Sequence, residues 1–464
     1  WEEDGNLYNA AVVLQNGKIV FKHFKNALPN YGIFDEKRIF SHGEEVSSFN
    51  LKGVNLGIFV CEDIWVHNTP SKLNGSGIDL AISINASPFD INKMGERLEA
   101  ATNFSKEANA PIIYVNQVGG QDEIVFDGNS FLADQNGLIK RLGYCESIYE
   151  RIDFNVNDKS FSFKENEENA IDSNDLIYSN LILGLRDYVN KNNFPGVVIG
   201  ISGGIDSAFS ACVAADALGP DRVKGILMPS KFTSNASNED ADQLGKNLGI
   251  VLESISIEEI VKAYDITLDP IFKGAEKDIT EENIQSRARG SLLMAYSNKF
   301  GHMVLTNGNK SEVSVGYSTL YGDMCGGFSV VKDLYKSELY KLAAWRNNCV
   351  PSASLLDKKS VIPQNIITKE PTAELKPNQM DKDTLPPYEV LDQILYLLVE
   401  KESSISEIVD KGFDFEVVTK VQNMLYNSEY KRRQAAPGVK ISERNFGYDR
   451  RYPITNAFRD SKGS

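Results

Sequence analysis

Residues Gly200–Ser207 read Gly-Ile-Ser-Gly-Gly-Ile-Asp-Ser, between an apolar run at Val197–Ile199 and a small-residue stretch over Ala208–Leu218. A strand that feeds a glycine-rich turn and then a helix N-terminus directs several backbone N–H groups into one cavity. The positive end of the helix dipole favours anions at the same place. Gly203 and Gly204 let the main chain approach an anion closely, Ser202 and Ser207 add hydroxyl donors, and Gly200, Ile201 and Ile205 complete the turn. Asp206 is the odd member, because a carboxylate beside phosphates is repelled unless a divalent cation lies between them. The turn therefore implies an α/β fold, a nucleotide with magnesium, and a reaction at the phosphates. It ends in neither the Gly-Lys-Ser/Thr of a Walker loop nor a Gly-x-Gly-x-x-Gly pattern.

The rest of the composition narrows the class. A chain of 464 residues is long enough for two or three domains. A net charge of −15 argues against general binding to nucleic acid or an anionic membrane. No apolar run approaches the ~20 residues that span a bilayer, and the acidic start Trp-Glu-Glu-Asp-Gly is unlike a secretory signal. Five cysteines are scattered without Cys-x-x-Cys spacing, and no two of the four histidines share a motif. The expectation is a cytoplasmic protein without a zinc site, a disulfide framework, or nucleic-acid and membrane partners.

Along the chain, Leu7–Leu14 and Lys18–Phe24 flank Asn16-Gly17, which predicts a β-hairpin with a type I′ turn. Apolar runs at Asn55–Val60, Leu80–Ile84 and Ile112–Val115 predict strands, with a helix over Gly95–Glu107. The polar stretch Phe163–Asn174 is the candidate linker, dividing residues 1–165 from residues 166–464. Beyond it come a helix near Leu176–Asn190, a strand at Val197–Ile201, a helix from Ala208, a strand at Val223–Met228 and a helix at Asn238–Leu248. That βαβ order implies a parallel sheet. Residues 351–387, rich in proline and lysine, read as either a solvated excursion or a segment covering the active site. The basic cluster Lys431, Arg432, Arg433, Lys440, Arg444, Arg450 and Arg451 reads as either a solvated surface or a reach toward an anionic ligand. In Asn283–Gly290, Thr280 is the expected helix cap, Ile284, Ala288 and Leu292 the buried stripe, and Asn283 and Arg287 a polar face.

The Gly200–Ser207 string resembles the Ser-Gly-Gly-x-Asp-Ser loop of the ATP pyrophosphatases. Asn-Ile-Gln-Ser-Arg-Ala-Arg-Gly (Asn283–Gly290), Thr-Asn-Gly-Asn-Lys-Ser-Glu (Thr306–Glu312), Tyr-Ser-Thr-Leu-Tyr-Gly-Asp-Met (Tyr317–Met324), Val-Lys-Asp-Leu-Tyr-Lys (Val331–Lys336) and Glu-Tyr-Lys-Arg-Arg-Gln (Glu429–Gln434) extend the likeness to the NAD synthetases. The resemblance implies a Rossmann-like parallel-sheet ATP pyrophosphatase domain that forms a carbon–nitrogen bond. Its substrates would be ATP and deamido-NAD, which is converted to NAD through an acyl-adenylate, with release of AMP and pyrophosphate. By the same resemblance Gly200–Ser207, Asn307 and Lys336 hold ATP, and Asp206 and Glu312 hold Mg2+. Asn283, Arg287, Glu312, Asp323 and Lys431 meet deamido-NAD. Asn307 stands where the family usually has threonine.

Asn-Leu-Gly-Ile-Phe-Val-Cys-Glu-Asp-Ile-Trp (Asn55–Trp65), Phe24–Phe40, Asn-Ala-Ser-Pro-Phe (Asn85–Phe89) and Lys93 resemble the nitrilase-type glutaminase domain fused to many of these synthetases. That implies an αββα sandwich, incomplete here. Cys61 would attack the glutamine amide, Lys25 would stabilise the oxyanion, and Tyr31, Ser87 and Lys93 would bind glutamine. Glu62 and Asp63 would raise the thiol's pKa if their charges faced it. The family's glutamate base lies well before the lysine. Only 24 residues precede Lys25, and Glu2 and Glu3 lack that context. The expectation is crippled glutamine turnover, with synthesis from free ammonia retained. The likeness also implies a homo-oligomer. Two other readings stay open, a different glutamine-fed ATP pyrophosphatase amidotransferase and a nucleotide-binding module without amidase activity.

Overall fold

In a computed structural model the structure describes residues 1–46, 48–66, 69, 77–163, 171–376 and 379–460. The expected boundary at 165/166, and the linker residues 164–170, lie outside the described residues. Two compact units emerge: Trp1–Gly119 with Val125–Ile171, and Gly120–Ile124 with Asp172–Ser464.

In the first unit, β1 (Ala10–Gln15) and β2 (Lys18–Phe24) form the expected hairpin. Asn16 and Gly17 carry φ of 50° and 74°, the paired left-handed geometry of a type I′ turn. A six-stranded sheet follows, built from β3 (Ser48–Leu51), β4 (Val54–Val60), β5 (Leu80–Asn85), β6 (Ile112–Asn116), β7 (Phe131–Asp134) and β8 (Gly137–Arg141), in spatial order 8-7-6-5-4-3. The middle strands β4, β5 and β6 are parallel, and the outer pairs are antiparallel. Helix α1 (Lys93–Ala108) buries Ala101 and Phe104 on this sheet, where Phe104 meets Phe59 edge to face at 4.7 Å. The three parallel strands end at Val60, Asn85 and Asn116. Side chains just past those ends therefore converge.

The second unit holds an all-parallel sheet of β9 (Val197–Ile201), β10 (Val223–Leu227), β11 (Val251–Ser254), β12 (Met303–Thr306) and β13 (Phe328–Ser329), in order 11-10-9-12-13. The chain winds one way from β9 to β11 and then crosses to the other side. Between β9 and β12 lies the switch point outside which ligands bind in such sheets. Helix α2 (Ser173–Lys191) packs on α3 (Ile205–Leu218), whose alanine-rich sequence is buried nearly throughout and lets it lie close to its neighbours. The helix Ile279–Phe300 is capped by Asp278 rather than by Thr280. Asp278 accepts from the Thr280 N–H, and Glu281 reaches back to the Asp278 N–H at 2.9 Å. Its buried stripe is Ile284, Ala288 and Leu293, with Leu292 only partly covered, because the helix rolls to set residues 286 and 290 against the Tyr321–Cys325 turn.

Residues 351–387 are tied down along much of their length. Asn347 bonds to Ile362, Asn365 donates to Asp240, and Glu374 accepts from Ser237, while Val361, Ile362 and Ile366 are buried. Helices Tyr388–Val399, Ile405–Asp410 and Phe415–Asn427 share a core with Val313 and Val315.

Asp216 and Arg346, both without exposure, pair through two bonds of 2.8 and 2.9 Å. Tyr178 and Ser354 also donate to Asp216, each at 2.7 Å, so one carboxylate joins four parts of the second unit. Removing one partner of a buried pair strands the other charge. Arg346→Met should therefore destabilise the fold by about 3–5 kcal/mol, read as a lower urea midpoint in unfolding followed by circular dichroism.

Candidate active site

At the carboxyl end of β9 the chain makes the glycine-rich turn. Gly203 has φ +76°, and a Cβ there would sit 2.3 Å from the Ser237 carbonyl oxygen, so only glycine fits without displacement. Gly204 caps α3 without a side-chain bond, which leaves the first N–H groups of the helix to whatever enters the cavity. Ser207 Oγ donates to the Gly204 carbonyl, and Ser202 Oγ accepts from the Gly204 N–H, which stiffens the turn.

Asp206 meets two partners brought from far along the chain. Asn309 Nδ2 donates to Oδ1 at 2.7 Å, and Lys336 Nζ donates to Oδ2 at 2.5 Å. Lys336, 2 % exposed, also donates to Glu312 Oε1 at 2.9 Å. Glu312 rides on the short helix Lys310–Val315, and the N-cap of that helix is Asn309, whose Oδ1 accepts the Glu312 N–H at 3.0 Å. Asn309 thus sets the helix carrying one carboxylate while bonding the other.

Asp381, from the segment before Tyr388, joins them. Tyr388 OH donates to its Oδ2 at 2.9 Å and lies 3.5 Å from Glu312 Oε1. Burial pushes Glu312 up to about 8; Lys336 opposes this, while Asp206 and Asp381 add to it. Burial also works against the Lys336 ammonium, but Asp206 and Glu312 outweigh it and hold the lysine above its usual range. Three carboxylates around one ammonium leave the centre short of positive charge.

Around the loop Gly316–Asp323 gather four more expected residues. Asn283 Oδ1 accepts from Thr319 Oγ1 at 2.8 Å, and Arg287 Nε donates to the Leu320 carbonyl at 3.2 Å. Asp323 accepts the Thr319 N–H at 2.7 Å, and Lys431 Nζ donates to the carbonyls of Gly316 and Ser318. Asn307 Nδ2 holds the Gly200 carbonyl at 3.2 Å, while its buried Oδ1 has no partner among the described residues. All of these, with the turn residues other than Gly203, line one cavity of about 1580 Å3. Single-ligand sites run to about 1,000 Å3, so this one has room for two large substrates.

Of the basic cluster, Lys431 lines the cavity. Arg432 and Arg433 pair with Glu429, Lys440 with Asp449 and Arg444 with Glu402, and Arg450 lies over the Tyr452 ring. Sequence reading missed Asn309, Asp381, Tyr388 and Arg289. The last lines the cavity, and its Nε donates to the Met228 carbonyl at 3.0 Å. The Asn309-to-Glu312 spacing of a helix cap was a legible signal for the first.

The first unit carries a second constellation. Cys61 opens a single helical turn at the end of β4 with φ +46°, a left-handed conformation that a side-chain-bearing residue adopts under constraint. Burial pushes its thiol up, Lys25 pulls it down, and Glu62 and Glu36 push it further up. Lys25, itself buried, donates to Glu36 Oε1 at 2.6 Å, a partner that no sequence pattern announced. Ser87 lies just past β5, held by Arg97 Nε at 3.0 Å and by the Asn116 side chain. Arg97 is fixed in turn by buried Asp127 at 2.8 Å. Tyr31 OH donates to Glu62, linking it to the cysteine turn. Lys93 instead pairs with Glu96 at 2.7 Å and lies over the Trp65 ring. Among the described residues no disulfide and no group of three or more His, Cys, Asp and Glu suited to a metal occurs.

Comparison with known proteins gives two family matches, to NAD synthase over residues 177–435 and to carbon-nitrogen hydrolase over residues 1–144. The glutamine-dependent NAD(+) synthetase of Acinetobacter baylyi is 44% identical over 459 residues, covering 98% of this chain and 83% of the relative. That of Thermotoga maritima is 44% identical, covering 99% and 84%. The structure of the glutamine-dependent NAD+ synthetase from Acinetobacter baumannii in complex with adenosine diphosphate superposes with a TM-score of 0.75 at 42% identity, covering 99% of this chain and 84% of that one.

The glycine turn gives a direct test of its geometry. Gly203→Ala should cost about 1–3 kcal/mol for its φ alone, before the overlap with Ser237. Gly204→Ala, whose Cβ would meet only Ser202 Oγ at 3.3 Å, should cost less. Urea unfolding of the two variants checks the order.

Proposed function

The chain belongs to the glutamine-dependent NAD(+) synthetases, and on that premise we propose how its two centres divide the work. The Lys336 centre adenylylates the nicotinate carboxylate of deamido-NAD with ATP, and the Cys61 centre releases ammonia from glutamine. The observation that carries this reading is the Lys336 ammonium between Asp206 and Glu312, inside a cavity large enough for ATP and a dinucleotide together.

A carboxylate resists ammonia because its oxygen is a poor leaving group. In the first step a nicotinate oxygen bonds to the α-phosphorus of ATP and pyrophosphate departs. In the second, ammonia attacks the acyl carbon and AMP leaves, giving the amide of NAD. The Gly200–Ser207 turn and the first N–H groups of α3 hold phosphate oxygens, Asn307 holds the nucleotide, and Lys336 meets the charge that grows around the α-phosphate. Asn283, Arg287, Asp323 and Lys431, which line the same cavity, orient the dinucleotide.

Asp206 and Glu312 are the residues that would hold Mg2+, as two hard oxygen ligands. The fit is supported by their convergence on one cation, by the chemistry of two carboxylates as hard oxygen donors, and by the third carboxylate of Asp381 close by. When bound, magnesium supplies charge neutralisation at the phosphates. In the other unit Cys61 Sγ bonds to the side-chain carbonyl carbon of glutamine, Lys25 steadies the oxyanion, ammonia leaves, and water cleaves the thioester to glutamate. Tyr31, Ser87 and Lys93 bind the glutamine. Among the described residues no helix is long and apolar enough to cross a membrane. We infer that the enzyme acts in the cytoplasm as a homo-oligomer, as gel filtration would read.

With deamido-NAD, ATP, Mg2+ and ammonium, the chain should release NAD, AMP and pyrophosphate in equal amounts, detected by mass spectrometry. Pyrophosphate release independent of deamido-NAD would sink the reading, and chelation by EDTA should stop it. Lys336→Met should lower kcat about 10²–10³-fold. Cys61→Ala should abolish whatever NAD formation glutamine supports and leave the ammonium-fed rate within about twofold, in side-by-side assays of the two nitrogen donors.

A further inference from the structure

Asp63 lies two residues past Cys61, is wholly buried, and has both carboxylate oxygens engaged by other partners. Its Oδ1 accepts the main-chain N–H groups of Asn26 and Ala27, at 2.8 and 2.9 Å. Its Oδ2 accepts the N–H of Val60 at 3.0 Å and meets His23 Nε2 at 2.8 Å. His23 Nδ1 is buried with no partner among the described residues, which assigns the ring its Nε2–H form, donating to Asp63. A buried carboxylate is costly unless its lone pairs are satisfied, and here four donors satisfy it.

Those donors come from the two arms of one site. Residues 23, 26 and 27 bracket Lys25 on both sides, and residue 60 immediately precedes Cys61. One carboxylate thus fastens the backbone that aims the lysine to the backbone that aims the thiol. The constraint coincides with the left-handed φ of Cys61, a conformation that surrounding contacts must enforce.

We propose that Asp63 and His23 are a positioning pair for the Cys61 centre, holding Lys25 in register with the nucleophile. The proposal rests on the reading of Cys61 and Lys25 as the reacting pair. The thiol is faced by Lys25 from just past the end of β2, Glu62 from its own turn, Glu36 from the short helical turn that follows, and the Tyr31 and Tyr114 phenols. Lys25 is the only cation in that set, so its placement governs how readily the thiolate forms. Asparagine at position 63 keeps the shape. Its N–H2 end, however, must face either the Val60 N–H or those of Asn26 and Ala27, which breaks the tie on one arm.

The test reads thiolate formation rather than turnover. Alkylation of Cys61 by iodoacetamide is followed as a function of pH by peptide mass spectrometry, which separates Cys61 from the other four cysteines. In Asp63→Asn the midpoint should rise by about one pH unit, which is about tenfold slower alkylation at neutral pH. Should Asp63→Asn not fold, His23→Ala, which removes one of four donors, should give a smaller rise in the same direction. His23→Gln, whose amide N–H can replace the imidazole donor, should restore the wild-type profile. Lys25→Ala is the reference and should raise the midpoint at least as far. A shift in Lys25→Ala with none in Asp63→Asn or His23→Ala overturns the positioning role. No shift in Lys25→Ala overturns the reading of the reacting pair itself.

Discussion

A single ammonium, that of Lys336, holds together the end of the central strand of the second unit. It arrives at the start of a helix and meets Asp206 from the glycine turn and Glu312 from a short helix more than a hundred residues further on. Without the lysine, two carboxylates would face each other in a partly buried pocket, an arrangement that costs several kcal/mol per uncompensated charge. With it, the turn, the Glu312 helix and the Lys336 helix have one common register. Asp381 adds a third carboxyl group beside the pair, and burial raises both it and Glu312. A cation brought to such a site would favour the ionised form of both carboxyls.

The two units solve the same positional problem by similar means. Each places a key turn, that of Cys61 or that of Gly200–Ser207, just beyond the carboxyl end of a parallel strand, where side chains from sequence-distant segments converge. Each then fixes those groups with a buried carboxylate whose lone pairs are filled by main-chain or side-chain donors. Asp63 does this behind Cys61, and Asp392 does it behind the Glu312 helix, accepting from Ser311 and from the Ser337 N–H at 2.9 Å. Lys310, the buried neighbour of Asn309, adds a further tie by meeting Asp333, Glu400, Ser442 and the Arg444 carbonyl. A C-terminal segment with no reactive residue of its own thereby helps position the site.

Local patterns were read well wherever the chemistry was local. The Asn16-Gly17 turn needs only two residues able to hold positive φ, and it stands where the dipeptide placed it. The strands ending at Val60 and Ile201 follow from short apolar runs next to turn signals. The cap of the Ile279–Phe300 helix was misplaced by two residues, because Asp278 and Thr280 are both good caps. Only the reciprocal bond from Glu281 selects between them. The segment 351–387 stayed ambiguous for a related reason: its anchors are side chains such as Asn365, Glu374 and Gln379, whose partners lie on helices far away in sequence.

By itself, the sequence determined the strand–turn–helix that offers backbone donors to phosphate, the α/β order around it, and the family to which the strings belong. These depend on residues adjacent in the chain, where spacing and backbone preference are sufficient. Only the tertiary structure decided that Lys336 lies between Asp206 and Glu312, that Glu36 takes the Lys25 ammonium, and that Asp63 takes its donors from Asn26, Ala27, Val60 and His23. Each of those outcomes is a competition among buried charges for a limited number of donors. Its winner depends on which groups folding brings within about 3 Å, a distance that linear order does not encode.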